Sequence, residues 1–368
     1  MGKTIVVKEH ETPIYEIRIE NSYAHFDEVL RQLKIAGHRV CIVSDTTISK
    51  YYMKDVVEIV KDYASLVETF TLQPGEEHKN LDSVQALYEY LIQSKFDRND
   101  FLIALGGGVV GDLTGYVAAT YLRGISFIQM PTTLLSMVDS SIGGKTGVDF
   151  AAYKNMVGAF KQPKAVYINT SVLETLTPRQ FYSGFGEVTK YGYISDAPFD
   201  AWLQENVEKL IQKDSEALAH MIERSCNNKR VVVEEDPTEK GIRAILNFGH
   251  TLGHAIEKMM DFQLLHGECV AIGMVAAAYI SQQRGMITEE QLQTIQNTLE
   301  QFQLPTKIKN LDEKTLIDIT KNDKKMDAGK IKFILLDGIG HAVIDPTVTT
   351  DEMLAGFRYV VEKASCIL

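Results

Sequence analysis

Three of the chain's nine histidines crowd one stretch, Arg243-Ala-Ile-Leu-Asn247-Phe-Gly-His250-Thr-Leu-Gly-His254-Ala-Ile-Glu257, with His266-Gly-Glu268 soon after. His250 and His254 are four apart, so on a helix their imidazoles lie one above the other on a single face. Gly249 and Gly253 leave that face bare enough for a neighbour to approach closely. His266 returns after a polar break, Asp261-Phe-Gln, and opens an apolar helix. Two imidazoles stacked on a helix and a third from a loop suit a divalent metal of intermediate softness, zinc first. Taken singly, each histidine reads more simply as a cap or a core residue. Together they argue for a metal centre, which usually adds a carboxylate or leaves a position open. Ser183-Gly-Phe-Gly186-Glu187-Val-Thr-Lys190 offers Glu187, three residues from Lys190 and on the same helix face, with glycines that predict tight packing. Thr251 follows His250, so the HExxH pattern of zinc proteases is absent.

A second chemistry lies in the N-terminal half. The apolar run Phe101–Leu105 leads into Gly106-Gly-Gly108-Val-Val-Gly111-Asp112 and then a helical stretch over 113–119. Glycines between a strand and a helix let backbone N–H groups reach a pyrophosphate at the helix N-terminus. The ordinary dinucleotide fingerprint places a ribose-binding acid about 20 residues further on, and residues 126–133 contain none. Asp45, closing the buried strand Arg39–Asp45, stands before the glycines instead. It suits either the ribose hydroxyls or the cap of the next helix. Gly144-Lys145-Thr146 imitates the end of a P-loop, but Asp139 occupies the required glycine, which excludes an NTPase.

These residues need elements to hold them. The 368 residues exceed one ordinary core. An antiparallel hairpin is predicted over 1–20, a helix over 25–36, a helix over 81–95 and strands over 125–130 and 163–168. Periodicity turns helical from 179, with a long helix over 215–234 and strand character only at 330–336. The expectation is an α/β Rossmann-like nucleotide-binding domain over 1–178 and an all-α metal- and substrate-binding domain over 179–368. Hydrophobic content of 45% and charged content of 24% are those of a globular protein. The four cysteines are scattered, as in a cytoplasmic protein with reduced thiols. No signal peptide is expected, and the run 269–280 is too short to span a bilayer. A net charge of −11 argues against nucleic acid and anionic membrane as partners. Against that background Lys145, Lys154, Lys190, Lys229 and Arg243 cluster beside glycine turns and the histidine stretch, as a site for a multiply anionic substrate would.

At these residues the sequence resembles the 3-dehydroquinate synthase family of sugar phosphate cyclases, over essentially the whole chain. The likeness is carried by Gly106–Asp112, Thr120-Tyr-Leu-Arg123-Gly, Pro131-Thr-Thr133, Asp139–Val148 with Lys154-Asn155, Gly186-Glu-Val-Thr-Lys190, and Arg243–Glu257 with His266-Gly-Glu. It implies an NAD- and zinc-dependent carbon–oxygen lyase of the shikimate pathway, acting as a homodimer, with cobalt as an alternative metal. The implied reaction takes 3-deoxy-D-arabino-heptulosonate 7-phosphate to 3-dehydroquinate and phosphate by transient oxidation, elimination, re-reduction and aldol closure. The resemblance implies Glu187, His250 and His266 as metal ligands and moves His254 to the substrate, where spacing alone makes it a ligand. It implies Asp45, Gly75, Glu76, Lys79, Gly107, Gly108, Asp112, Thr132, Thr133, Lys145, Lys154 and Thr175 at the dinucleotide. Asp139, Lys145, Lys154, Asn155, Lys190, Lys229, Arg243, Asn247 and His254 are implied at the substrate, with Arg123 reaching a neighbouring subunit's substrate. Glu239 is implied as an acid/base residue and His254 as a proton-handling group, which with Lys145, Asn155 and Lys190 make up the implied catalytic set, and one of Lys324-Lys325 is implied as a further contact. The alternatives are another cyclase such as 2-deoxy-scyllo-inosose synthase, whose substrate lacks the carboxylate that Lys229 and Arg243 would clamp, a metal-dependent polyol dehydrogenase, and a non-catalytic NAD-binding protein.

Overall fold

A computed structural model describes the chain except residues 1, 152, 262, 310–311, 314, 317–318, 320–331 and 363–368. The expected Lys324-Lys325 contact and Cys366 lie outside the described residues. The chain forms two compact units, Met1–Leu176 with Ser215–Thr238, and Thr177–Asp214 with Glu239–Leu368.

In the first unit, β1 (Lys3–Glu9) and β2 (Thr12–Glu20) form the expected hairpin. Around them a seven-stranded sheet runs β1-β2-β9-β6-β5-β3-β4, adding β3 (Arg39–Asp45), β4 (Leu66–Leu72), β5 (Phe101–Gly106), β6 (Ser126–Pro131) and β9 (Ala165–Asn169). All pairs except β1–β2 are parallel. Helices cover both faces, which is why β5 is apolar and buried at every residue. On one face α1 (Phe26–Gln32) and α2 (Lys54–Val60) bury Phe26, Val29, Val56 and Val60. On the other, α3 (Leu81–Gln93) and α4 (Gly108–Thr120) bury Leu87, Leu91, Leu113 and Val117.

The chain leaves β3 for edge strand β4, then returns to the opposite side of β3 with β5. The order reverses between β3 and β5, so their carboxyl ends flank the crevice where such sheets take ligands. Asp45 ends one of these strands and Gly106 the other.

Two expectations change here. The glycine-rich stretch after Asp139 is no simple loop: Lys145 begins β7 (Lys145–Phe150), which pairs antiparallel with β8 (Tyr153–Phe160) as a two-stranded ribbon. A single division after 178 is also not what the packing gives. Helix α8 (Ser215–Glu235), after α5 (Pro178–Ser195), α6 (Ala197–Glu205) and α7 (Val207–Ile211), belongs to the first unit. There Glu234 accepts a hydrogen bond from the Lys8 amide at 2.7 Å, and Cys226 lies 3.5 Å from the Met137 carbonyl.

The second unit is built on α10 (His266–Gln283), buried from Gly267 through Ala278. An apolar helix buried all round is a core helix, and no described helix is long and apolar enough to cross a membrane. Helices α5, α9 (His250–Met259), α11 (Glu289–Gln301) and Thr350–Val360 surround it. The unit is mainly helical but not all-α. Phe333–Leu336 pairs with Ala342–Asp345, and Ile308–Lys309 pairs with Val361–Glu362. Phe333–Leu336 falls within the strand expected at 330–336, whereas its partner and the two-residue ladder are too short to show as periodicity in sequence.

Candidate metal centre and dinucleotide site

The metal candidates sit where three helices touch through glycines. Glu187 lies mid-way along α5, His250 and His254 begin α9, and His266 is the first residue of α10. A Cβ on Gly273 would fall 2.0 Å from the Gly249 carbonyl oxygen, and one on Gly253 2.9 Å from Cys269 O. Gly249 also has φ +79, a left-handed conformation that favours glycine. The neighbour that the bare face of α9 admits is therefore α10.

Glu187 is fully buried. Its Oε1 lies 3.4 Å from His250 Nε2 and 3.5 Å from His266 Nε2, yet accepts no hydrogen bond. Its Oε2 is paired with the buried Lys190 ammonium. Nδ1 of His250 lies 3.1 Å from the Phe248 carbonyl oxygen. With the proton on Nδ1, Nε2 turns a lone pair toward Glu187. Nδ1 of His266 lies 3.8 Å from Glu257 Oε2. His254 completes a set of three imidazoles whose ligand atoms lie within 4.8 Å of one another.

The electrostatics favour a cation. Burial would raise the Glu187 carboxyl, but Lys190 and His250 outweigh it and hold the group well below the usual carboxylate range. Burial, then Lys190, hold His250 below its ordinary value, so it stays neutral with a lone pair to give. Burial pulls His266 down as well, but Glu187 and Glu257 outweigh it and raise its imidazole to about 9. The same pull that draws a proton to His266 would draw a metal ion. An orphaned carboxylate oxygen facing two Nε2 atoms is a donor set that fits zinc or cobalt.

The helix ends are fixed by residues that spacing did not flag. Arg179 grips Glu268 with two hydrogen bonds of 2.7 Å. Glu268 in turn accepts the Leu265 amide at 2.8 Å, and Ser183 Oγ accepts the Gly267 amide at 3.2 Å. The signal available in sequence was Glu268 itself, an acid in the first turn of α10. Elsewhere in this unit Arg243 is buried in the short turn Ile242–Asn247. Asn247 donates to Glu239 Oε1 at 3.0 Å, and Glu239 holds φ +57. A non-glycine residue kept there is a strained position of the kind that clusters at functional sites.

In the first unit the glycine turn begins α4 at Gly108, so Gly108, Gly111 and Asp112 are helical where a loop was expected. Gly106 and Gly111 serve packing: Cβ atoms there would meet Val110 at 2.6 Å and Gln129 at 2.8 Å. Gly107 and Gly108 have more room, with nearest neighbours at 3.1 Å on Thr133 and 3.4 Å on Ser140. Beside them Thr132, whose amide donates to Gly106 O at 3.0 Å, buries a hydroxyl that makes no hydrogen bond. Thr133 instead pairs with Ser136. An orphaned hydroxyl next to open glycines at a strand switch point fits a dinucleotide phosphate. Asp45 Oδ1 caps the next turn, accepting from Thr47 and Ile48 at 2.8 and 2.9 Å.

Lys79 gathers much of the remaining set. It donates to Asn155 Oδ1 at 2.7 Å, reaches Asp112 Oδ2 at 2.7 Å, and lies 3.7 Å from Glu76, which is also 3.7 Å from Lys154. Burial would lower its ammonium, but Asp112 and Glu76 outweigh it. Gly75 precedes this cluster with φ +123. Lys229 on α8 grips Asp139 through its carboxylate at 2.6 Å and its carbonyl at 2.7 Å. Thr175 meets the Tyr52 hydroxyl, and Lys145 opens the ribbon on its exposed side. Arg123 lies on an exposed turn with φ +65, after α4.

A glycine turn at a strand switch point in one unit and a carboxylate–imidazole centre in the other are the marks of a metal- and dinucleotide-using enzyme. Residues 69–183 match the model of the 3-dehydroquinate synthase N-terminal domain, and residues 184–326 that of the 3-dehydroquinate synthase C-terminal domain. The chain is 44% identical over 340 residues to 3-dehydroquinate synthase of Acetivibrio thermocellus, covering 92% of this chain and 94% of that one. The chain belongs to the 3-dehydroquinate synthase family. Its fold matches 2-epi-5-epi-valiolone synthase of Streptomyces hygroscopicus, solved with NAD+ and Zn2+ bound, at TM-score 0.88 and 24% identity over 97% of this chain and 98% of that one. It also matches 2-deoxy-scyllo-inosose synthase complexed with carbaglucose-6-phosphate, NAD+ and Co2+, at TM-score 0.83 and 24% identity over 97% and 100%.

Proposed function

We propose that this chain converts 3-deoxy-D-arabino-heptulosonate 7-phosphate to 3-dehydroquinate and phosphate, using NAD and one zinc ion, as a cytoplasmic homodimer. The observation that carries this reading, beside the family, is Glu187 Oε1 buried without a hydrogen bond before two Nε2 atoms. Glu187, His250 and His266 would hold the metal. The Gly107–Gly108 backbone and the Thr132 hydroxyl would take the dinucleotide phosphates, with Asp45, Gly75, Glu76, Lys79, Asp112, Thr133 and Thr175 around it. When bound, zinc supplies Lewis acidity at a substrate hydroxyl and NAD a reversible hydride acceptor.

The chain's own groups do the rest. His254, whose ring centroid lies 5.2 Å from that of His250, moves a proton at the reacting hydroxyl. Glu239, oriented by Asn247, serves as the second acid/base group. Lys145, Lys154 and Asn155 on the ribbon bind the phosphate and stabilise its charge as it leaves. Arg243 offers a planar fork for the carboxylate, which a lysine could not present. Lys190 compensates Glu187 and reaches the substrate from α5, while Asp139 fixes Lys229 for the same ligand. Exposed Leu122, Phe150, Tyr153, Met156 and Phe160 support a partner copy near Arg123 and the ribbon.

The test is turnover. The heptulosonate phosphate with substoichiometric NAD should yield equal amounts of inorganic phosphate and dehydroquinate with no net NADH. Accumulating NADH would point to a polyol dehydrogenase, and turnover of a carboxylate-free sugar phosphate alone to another cyclase. Light scattering reads the dimer.

A further inference from the structure

Glu257 has no part in the chemistry above, yet it is a carboxylate only 4% exposed. Burying such a charge is costly unless something nearby compensates it. It sits on α9 three residues after His254 and seven after His250, so all three share one stripe of the helix. Its Oε2 stands 3.8 Å from His266 Nδ1, while the other nitrogen of that ring faces Glu187 at 3.5 Å. The two ring nitrogens thus address two different carboxylates.

We propose that Glu257 is a positioning residue for the metal centre: it keeps the His266 proton on Nδ1 and fixes the ring so that Nε2 presents its lone pair to the ion. This deepens, and rests on, the reading of Glu187, His250 and His266 as ligands. His250 achieves the same tautomer with a neutral acceptor, the Phe248 carbonyl at 3.1 Å. A carboxylate behind His266 makes that imidazole the more basic ligand. The asymmetry has a structural origin, since His250 and Glu257 lie on α9 while His266 begins a different helix.

The experiment compares the full-length wild type with Glu257→Ala, Glu257→Gln and His266→Ala after chelator treatment. Zinc affinity is read by competition with a chromophoric chelator, and the bound site by the visible spectrum of the cobalt form. Glu257→Ala should weaken zinc binding about 10- to 100-fold and alter the cobalt bands, with NAD affinity unchanged. Glu257→Gln, which keeps a carbonyl acceptor without the charge, should recover part of the affinity and decides the matter if the alanine variant does not fold. Wild-type zinc affinity and cobalt bands in a folded Glu257→Gln or Glu257→Ala protein would overturn the assignment. Wild-type zinc affinity in His266→Ala would instead remove the ligand set itself, and the role of Glu257 with it.

Discussion

Gly186 and Gly267 meet backbone to backbone: a Cβ built on Gly186 would lie 2.5 Å from the Gly267 carbonyl oxygen, and one on Gly267 1.8 Å from Ser183 O. This contact lets α5 lie directly against the start of α10. Glu187 and His266, each next in sequence to one of the two glycines, are thereby 3.5 Å apart.

Gly186→Ala should therefore act on the metal centre from outside it. The methyl group meets backbone that cannot rotate away, so α5 and α10 must part. Overpacking of this kind costs about 1–3 kcal/mol. Chemical denaturation should show that loss, and metal analysis a lower zinc content per chain. A variant with wild-type stability and zinc content would show that the helices can move without consequence.

Glu187→Gln removes the proposed anionic ligand and leaves Lys190 buried without its carboxylate. Breaking a buried pair by removing one partner is strongly destabilising, about 3–5 kcal/mol. The variant should retain less zinc after dialysis and melt at lower temperature, and added zinc should not restore it. Chelation of the wild type should abolish activity reversibly, with zinc or cobalt restoring it. Equal zinc retention in the variant would remove Glu187 from the ligand set.

Asp200, 5% exposed on α6, gives a pH signature in stability. Burial raises its carboxyl from 3.8 to about 6, although Gln204 donates to it at 2.8 Å. The unfolded chain releases this proton near 3.8 and the folded protein near 6, so the folded state binds more protons in between. Stability from this group is thus fullest below the unfolded value and is lost as pH rises to about 6, by about 3 kcal/mol at most. Asp200→Asn should be more stable than wild type at pH 7.5, with the gain shrinking toward pH 4. Urea titrations of both proteins at the two pH values measure it, and a gain independent of pH would refute the shift.

Arg243→Ala should weaken the acid substrate far more than NAD if, as proposed, the guanidinium pairs with the carboxylate. A charge-assisted pair of this kind is worth about 1.5–3 kcal/mol, or roughly 10- to 150-fold in affinity. Calorimetric titration with a non-reacting substrate analogue and with NAD separates the two. Equal weakening of both ligands would make Arg243 structural.

Much of this architecture was written locally. The strand–glycine–helix succession at 101–120 and the i, i+4 histidines are short-range patterns, and the expected strand and helices are there, although the helix after the glycines starts five residues earlier, at Gly108. The glycines flanking Glu187 and His250 announced close approach but not its partner, because that depends on where α10 lies. Helix α8 is the clearest case of what sequence withholds: its amphipathic pattern is the same whichever core receives it, and it joined the first unit. Asp45 left two roles open, and its Oδ1 takes the capping one. Glu257 is not legible as a site residue in sequence, because a helical glutamate ordinarily lies on a solvated face. Only the placement of His266 opposite it makes it informative.

The most direct measurement is an anomalous difference map at the zinc edge from crystals of the zinc-loaded protein. One peak is expected about 2.0–2.2 Å from Glu187 Oε1, His250 Nε2 and His266 Nε2, with His254 turned to the substrate side. No peak at this position, or a peak that leaves Glu187 outside its coordination, would contradict the proposed ligand set.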